Sequence, residues 1–441
     1  MSIFSKIFDK KELNPADTGI TFGRFTGLSK NEEQVEQWEK AISLYRKKDY
    51  TASIDALLNY LVRPQGNNVS ITKTGKEIQF EINQGSILIE GSVNGGKIKA
   101  EAKIFEFEKP KNPLMRKLLE MNLALQYSFF SMKDQAIYLK LDGEISDASP
   151  DKLYYALKEI ATTSDKQDDL LSAEFQSLRL IGTSHILPIS GLEKEIKYRF
   201  FKEWIQNTQK EVSEIGEQQG QAATLYLYFS LIYKIDYLLK PEGNLRNELE
   251  KINDNYLESD DITVDLKNQA TKESFDRLLG IPKEEVIKDF YNIKTTFGIA
   301  NPATFQMIAD FVYAETEKIK WFRDNSLPKI EIAAYQYISG YCFYNFGMYE
   351  PCVKLLHLLM QIFNPDFFEE MGFKEEYYNL KTGAFGQEAI EEEIIQIMKE
   401  GRKRFPHLMF LVANLRYDSQ GDFCDSFFKE FDFLNFTDAL Y

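Results

Sequence analysis

The sequence predicts an α+β protein: an N-terminal antiparallel sheet packed with helices, then an all-α domain of helical hairpins with a repeat-like character. Three observations carry this. Apolar and polar residues alternate with period two at 77–82 and 97–104, which makes a sheet with one wet face. The stretch "LLEMNLALQYSFFSMKDQAIYLKLDGEIS" (118–146) changes from a helical stripe to strict alternation in mid-course. Beyond residue 200, apolar segments of helical period are separated by short breaks.

Residues 1–30 read as a tail. Ile3, Phe4, Ile7 and Phe8 could form a short amphipathic turn beside Lys6, Lys10 and Lys11. One and a half turns bury too little to hold a membrane alone, so membrane contact is not expected. The start also lacks the features of a signal peptide, and the expected location is the cytoplasm.

The α+β domain is expected over 31–175. "NEEQVEQWEKAISLYRKKDYTASIDALLNYL" has two apolar stripes divided at "KKD", a helix–turn–helix. In the strands, Ile78, Phe80 and Ile82 face inward, as do Ile98, Ala100, Ala102 and Ile104. "GSVNGGK" (91–97) has the spacing of a phosphate loop. However, Ile98 follows the lysine and the next segment is a strand, so Asn94-Gly95 marks a hairpin turn. Pro110 and Pro113 end the sheet and open a helix at 113–126. A hairpin at 128–142 turns near "MKDQ", and Ser149-Pro150-Asp151 caps a last helix at 150–171.

That order, with "NPLMRKLLEMNLAL", the hairpin "YSFFSMKDQAIYLKLDGEIS" and "SPDKLYYALKEIATTSDKQDDLL", resembles the type III secretion chaperone-like fold, including its YbjN-like branch. The family's helix pattern falls on Leu118, Leu119 and Asn122, and its terminal acids on Asp165, Asp168 and Asp169. The resemblance covers roughly residues 36–175. It implies binding to proteins, a tendency to dimerise through this domain, and no catalytic residues.

Residues 176–200 read as a linker around "GTSHILPISG", and 201–417 as the helical domain. "LYLYFSLIYKIDYLL" (225–239) is too short, and too interrupted by Lys234 and Asp236, to cross a membrane. It is expected to be a buried helix with a wet edge. "GYCFYNFGMYEPCVKLLHLLMQIFNP" resembles a tetratricopeptide repeat through Gly340, Gly347, Tyr349, Cys352, Leu356 and Leu359. Pro365 falls one residue late and the leading Trp is missing, so a diverged helical-repeat domain is expected rather than a regular array. A groove lined by Tyr337, Tyr341 and Tyr344 would suit a peptide, because aromatic anchors carry binding energy.

The segment 418–441 is acidic and aromatic, with Phe423, Phe427 and Phe431 at helical spacing. It reads either as a last helix docked on its own domain or as a docking peptide for another protein. In the second case Phe427, Phe428 and Phe431 are its contact residues.

Composition narrows function. Net charge is −15, and 13 of those charges fall in residues 176–441, which argues against a broad nucleic-acid surface. Three cysteines in 441 residues are no disulfide scaffold, and Cys342 and Cys352 read as small core residues. His185, His357 and His407 lie far apart with no ligand spacing. In "EAIEEEIIQIMKEGRK" (388–403), Ile390, Ile394, Ile395 and Met398 form the expected buried stripe and the glutamates face water. No catalytic residue, cofactor or metal is expected. The expected function is a non-enzymatic adaptor or chaperone-like protein that binds one or more client proteins. A regulator or scaffold at a membrane surface, and an enzyme with a dispersed site in the helical domain, are the alternatives.

Overall fold

The computed structural model describes residues 20–25, 30–63, 67–109, 111–175, 177–181, 186–215, 220–257, 262–374 and 376–437. The tail residues Ile3, Phe4, Ile7 and Phe8, and His185 and Tyr441, lie outside them. The fold is α+β, a seven-stranded antiparallel sheet followed by a helical region.

Helices α1 (Glu32–Arg46) and α2 (Tyr50–Leu61) form the expected helical hairpin. Ser53 at their crossing donates to the Ala41 carbonyl at 2.7 Å, so small residues let the two backbones approach. Strands β1 (Val69–Thr74), β2 (Glu77–Gln84), β3 (Ile87–Asn94) and β4 (Lys97–Phe107) follow as a meander. The residues expected inside are inside, from Ile78 to Ile104. The β3–β4 turn is one residue later than expected: Gly95 and Gly96 both take positive φ, 59° and 80°, and Asn94 pairs with Lys97. The phosphate-loop spacing is therefore a hairpin.

Helix α3 (Asn112–Asn122), β5 (Phe129–Lys133), β6 (Ala136–Glu144) and α4 (Pro150–Glu174) complete the layer. The sheet order is β1-β2-β3-β4-β6-β5. It is α4 that covers the apolar face, packing on β2, β3, β4 and β6, while α3 sits at the β5 edge. Leu114 and Leu118 are its buried residues; Leu119 is 66% and Leu123 88% exposed, which corrects the broader stripe expected there.

The region 176–200 is not a free linker. Leu178–Leu180 forms β7 and pairs with β4, and a helix already starts at Gly191. The helical region runs through α5 (Gly191–Glu214), α6 (Gly220–Lys234), α7 (Gly243–Leu257), α8 (Val264–Gly280) and the short α9 (Lys283–Lys288). It continues with α10 (Phe305–Asp324), α11 (Pro328–Asn345), α12 (Glu350–Phe363), α13 (Pro365–Glu370), α14 (Gln387–Gly401) and α15 (Gln420–Asp432). Gly340 of α11 faces α6 so closely that a Cβ there would lie 2.4 Å from the Tyr233 Cβ. In α14 the buried stripe is Ile390, Ile394, Ile397 and Met398; Ile395, expected inside, is exposed.

The two regions interlock. Residues 292–297 leave the helical region and pack on the sheet. The Gln84 side chain accepts from the Thr296 and Phe297 N–H groups at 3.1 and 3.0 Å. Asn68 donates to the Thr296 hydroxyl at 2.9 Å, and Phe297 is buried in the core of the α+β domain. Buried amides here satisfy loop backbone that would otherwise lose its water.

Candidate binding sites

The first site lies where residues 20–25, "ITFGRF", cross the helical region. Its receptor is the end of α6. There Ile235–Leu239 forms a π turn that stops at Lys240, whose φ is 47°. A π turn shifts the phase of the side chains that follow it. Here it brings Asp236 and Tyr237 to the docked segment.

Arg24 makes the central contact. Its Nε and Nη2 donate to Asp236 Oδ1 at 2.8 and 2.5 Å, and its Nη1 donates to Glu250 Oε1 at 2.7 Å. Its guanidinium also lies 4.4 Å from the centre of the Tyr344 ring. Asp236 is only 5% exposed. The edge of "LYLYFSLIYKIDYLL" is thus neutralised by an arginine at this point, not wetted as expected. Burial alone would raise the Glu250 carboxyl, but Arg24 and Arg246 outweigh it and hold it below its usual range.

Gly23 donates its N–H to the Tyr237 carbonyl at 2.8 Å with φ +65°. A Cβ there would lie 2.7 Å from the Tyr237 ring, so both the conformation and the approach require glycine. Phe22 enters an aromatic socket, with its ring centre 5.2 Å from His357, 5.3 Å from Phe368 and 5.7 Å from Phe373. The Tyr237 hydroxyl is 2.9 Å from His357 Nδ1. Burial lowers the His357 pKa to about 4, so the ring is neutral at pH 7. Phe25 lies under the Arg63 guanidinium at 4.1 Å.

The tyrosine groove has a different state from the one expected. Tyr337, Tyr341 and Tyr344 are half-buried. Tyr341 stacks on Phe311 at 4.2 Å, Tyr337 meets Tyr226 at 5.3 Å, and Tyr344 is covered by Arg24 of the same chain. The expected C-terminal contact residues are corrected more strongly. Phe427, Phe428 and Phe431 are at most 1% exposed. They sit in the helical core because α15 packs against α10 and α11, and Phe428 stacks on Tyr335. Residues 418–437 therefore belong to the helical domain, and these three rings offer no open surface to a partner.

The second site is the α3–β5 edge. Asn122 accepts from the Phe130 N–H at 2.6 Å and donates to its carbonyl at 3.3 Å. Glu159 of α4 accepts from the N–H groups of Gln126, Tyr127 and Ser128, at 2.8 to 3.0 Å. The Phe130 backbone groups on the edge strand and the turn leading into it are thus capped by side chains. What stays open is apolar: Met115 and Leu119 of α3 and Leu123 at its C-terminal cap, four residues apart, with Phe129 and Met132 exposed on β5.

Chemical groups are sparse. All three cysteines are buried, and burial pushes their thiols up. Among the described residues no group of three or more His, Cys, Asp or Glu side chains could hold a metal ion, and no helix is long and apolar enough to cross a membrane. No protein-family model matches the chain, and a search of curated proteins finds no significant match.

Sequence reasoning missed Phe22 and Arg24, which it left in a tail. Its signal was Asp236, a lone carboxylate in an apolar helix that needed a cation from elsewhere in the chain.

Proposed function

We propose that this protein is a cytoplasmic, non-enzymatic adaptor or chaperone-like protein that holds client proteins on its α+β domain. The observation that carries the reading is the α3 row. Leucines 66% and 88% exposed, four residues apart beside a further exposed Met115, form a run of open apolar side chains that supports an interaction patch. Because Asn122 already occupies the Phe130 N–H and carbonyl on the edge strand, a client would dock through side chains rather than by extending the sheet at that point. A homodimer through the same domain is the other occupant consistent with the reading.

The test is an affinity pull-down of full-length protein against Leu119→Glu/Leu123→Glu. Both positions are exposed, so the variant should melt as the parent does. The reading expects a stoichiometric client that the variant loses. Equal capture by both baits, or no client above background with either, refutes it. Sedimentation of the two proteins reads the dimer.

A further inference from the structure

The cleft between the two domains holds a cavity of about 500 Å³. Small-molecule sites run to roughly 300–1,000 Å³. The charged groups of its lining sort into two sets. Asp165 accepts from the Ser86 N–H at 3.2 Å, and the other carboxylates are paired with cations: Asp236 with Arg24, Glu242 with Arg246 at 3.2 Å and Glu350 with Lys354 at 3.1 Å. Two cations are not. Arg63 and Lys240 form no ion pair among the described residues.

Their existing contacts hold them in place without neutralising them. Arg63 donates one Nη to the Thr295 carbonyl at 3.1 Å and stands over the Phe25 ring at 4.1 Å. Lys240 donates to the Thr21 hydroxyl at 3.0 Å, which leaves two ammonium N–H groups to spare. Burial lowers the Lys240 pKa, and although Glu242 raises it, Lys197, Arg63 and Arg246 push it down. Leaving two cations partly desolvated and unpaired is costly, and an anion received there recovers that cost. The rest of the lining includes Ile293, Ile299, Met348 and Val353, which would cover an organic body.

We propose that this cleft binds a small organic molecule carrying an oxyanion, phosphate or carboxylate, which Arg63 and Lys240 receive together. Arg63 belongs to the α+β domain and Lys240 to the helical domain, so the ligand bridges the two. This site is separate from the α3 face and does not depend on client binding.

The experiment is calorimetric titration of full-length protein with adenosine 5′-monophosphate, inorganic phosphate and citrate, at constant ionic strength set with chloride. The phosphate and citrate arms distinguish the two oxyanions. In parallel, acylation of Lys240 in the unaltered protein is read by peptide mass spectrometry with and without each probe. The proposal expects one-site saturable binding of at least one probe, with Lys240 protected by it. Arg63→Gln and Lys240→Gln should each weaken binding by about tenfold or more, and Arg63→Lys by less. Absence of saturable binding at millimolar concentration overturns the proposal. Saturable binding that leaves Lys240 unprotected also overturns it, whether or not the variants fold.

Discussion

Replacing Arg24 by alanine tests the interlock most directly. The substitution leaves Asp236, 5% exposed, without its cation, and takes one of two arginine partners from Glu250. Removing one member of a buried pair costs about 3–5 kcal/mol. The cation–π contact with Tyr344 adds about 0.5–2 kcal/mol. Against this, residues 20–25 can undock in the variant, and water can then reach Asp236. That relief places the expected loss near the low end, about 3 kcal/mol. The assay is urea unfolding followed by tryptophan fluorescence. Trp38 reports the α+β domain, and Trp204 and Trp321 the helical domain. Adding Asp236→Asn removes the stranded charge, so the double variant should be more stable than Arg24→Ala alone, by about 1–2 kcal/mol. The Glu250 contribution has a definite sign with pH. Its folded pKa is lowered, so its stabilisation is complete above the unfolded carboxylate pKa and is lost as pH falls through the folded value. A loss below about 1 kcal/mol for Arg24→Ala, the range of an exposed pair, would refute the reasoning. So would a double variant no more stable than the single one.

Two further outcomes are expected. His357 is held neutral down to about pH 4, whereas an unfolded histidine takes its proton near pH 6.5, so stability should fall as pH drops through that window. In His357→Phe that part of the slope should vanish; an unchanged slope between pH 7 and 4 in thermal melts contradicts the assignment. On the wet face of the sheet, Glu81, Glu90 and Glu101 stand directly opposite one another on β2, β3 and β4. Glu90→Lys replaces two repulsions with two attractions and should stabilise by about 0.5–1 kcal/mol at low salt. The gain should shrink at high salt, and a destabilised variant would show that the row is not repulsive.

The α+β domain was legible because its signals are local. Period-two alternation names the inward face of a strand, as at Ile98, Ala100 and Ala102, and the Asn-Gly-Gly run marks a hairpin to within one residue. Serine before proline caps α4 for the same reason, since a cap needs only its neighbours. The extent of α3's buried face was not legible. Leu118 and Leu119 are the same residue type on the same helix, and only the seating of α3 at the β5 edge buries one and leaves the other in water.

By itself the sequence determined the order of helices and strands up to α4, the inward face of the sheet and the helical character after residue 200. Tertiary structure decided where two near-terminal segments go: "ITFGRF" becomes part of the helical domain, and Phe427, Phe428 and Phe431 become core rather than surface. It also decided which charges are neutralised. Arg24 and Asp236 are 212 residues apart, and Arg63 and Lys240 come to line one cleft. The physical reason is that periodicity encodes a residue's direction relative to its own element. Burial and charge pairing depend on which other element lies opposite, and that is set by the packing of the whole chain.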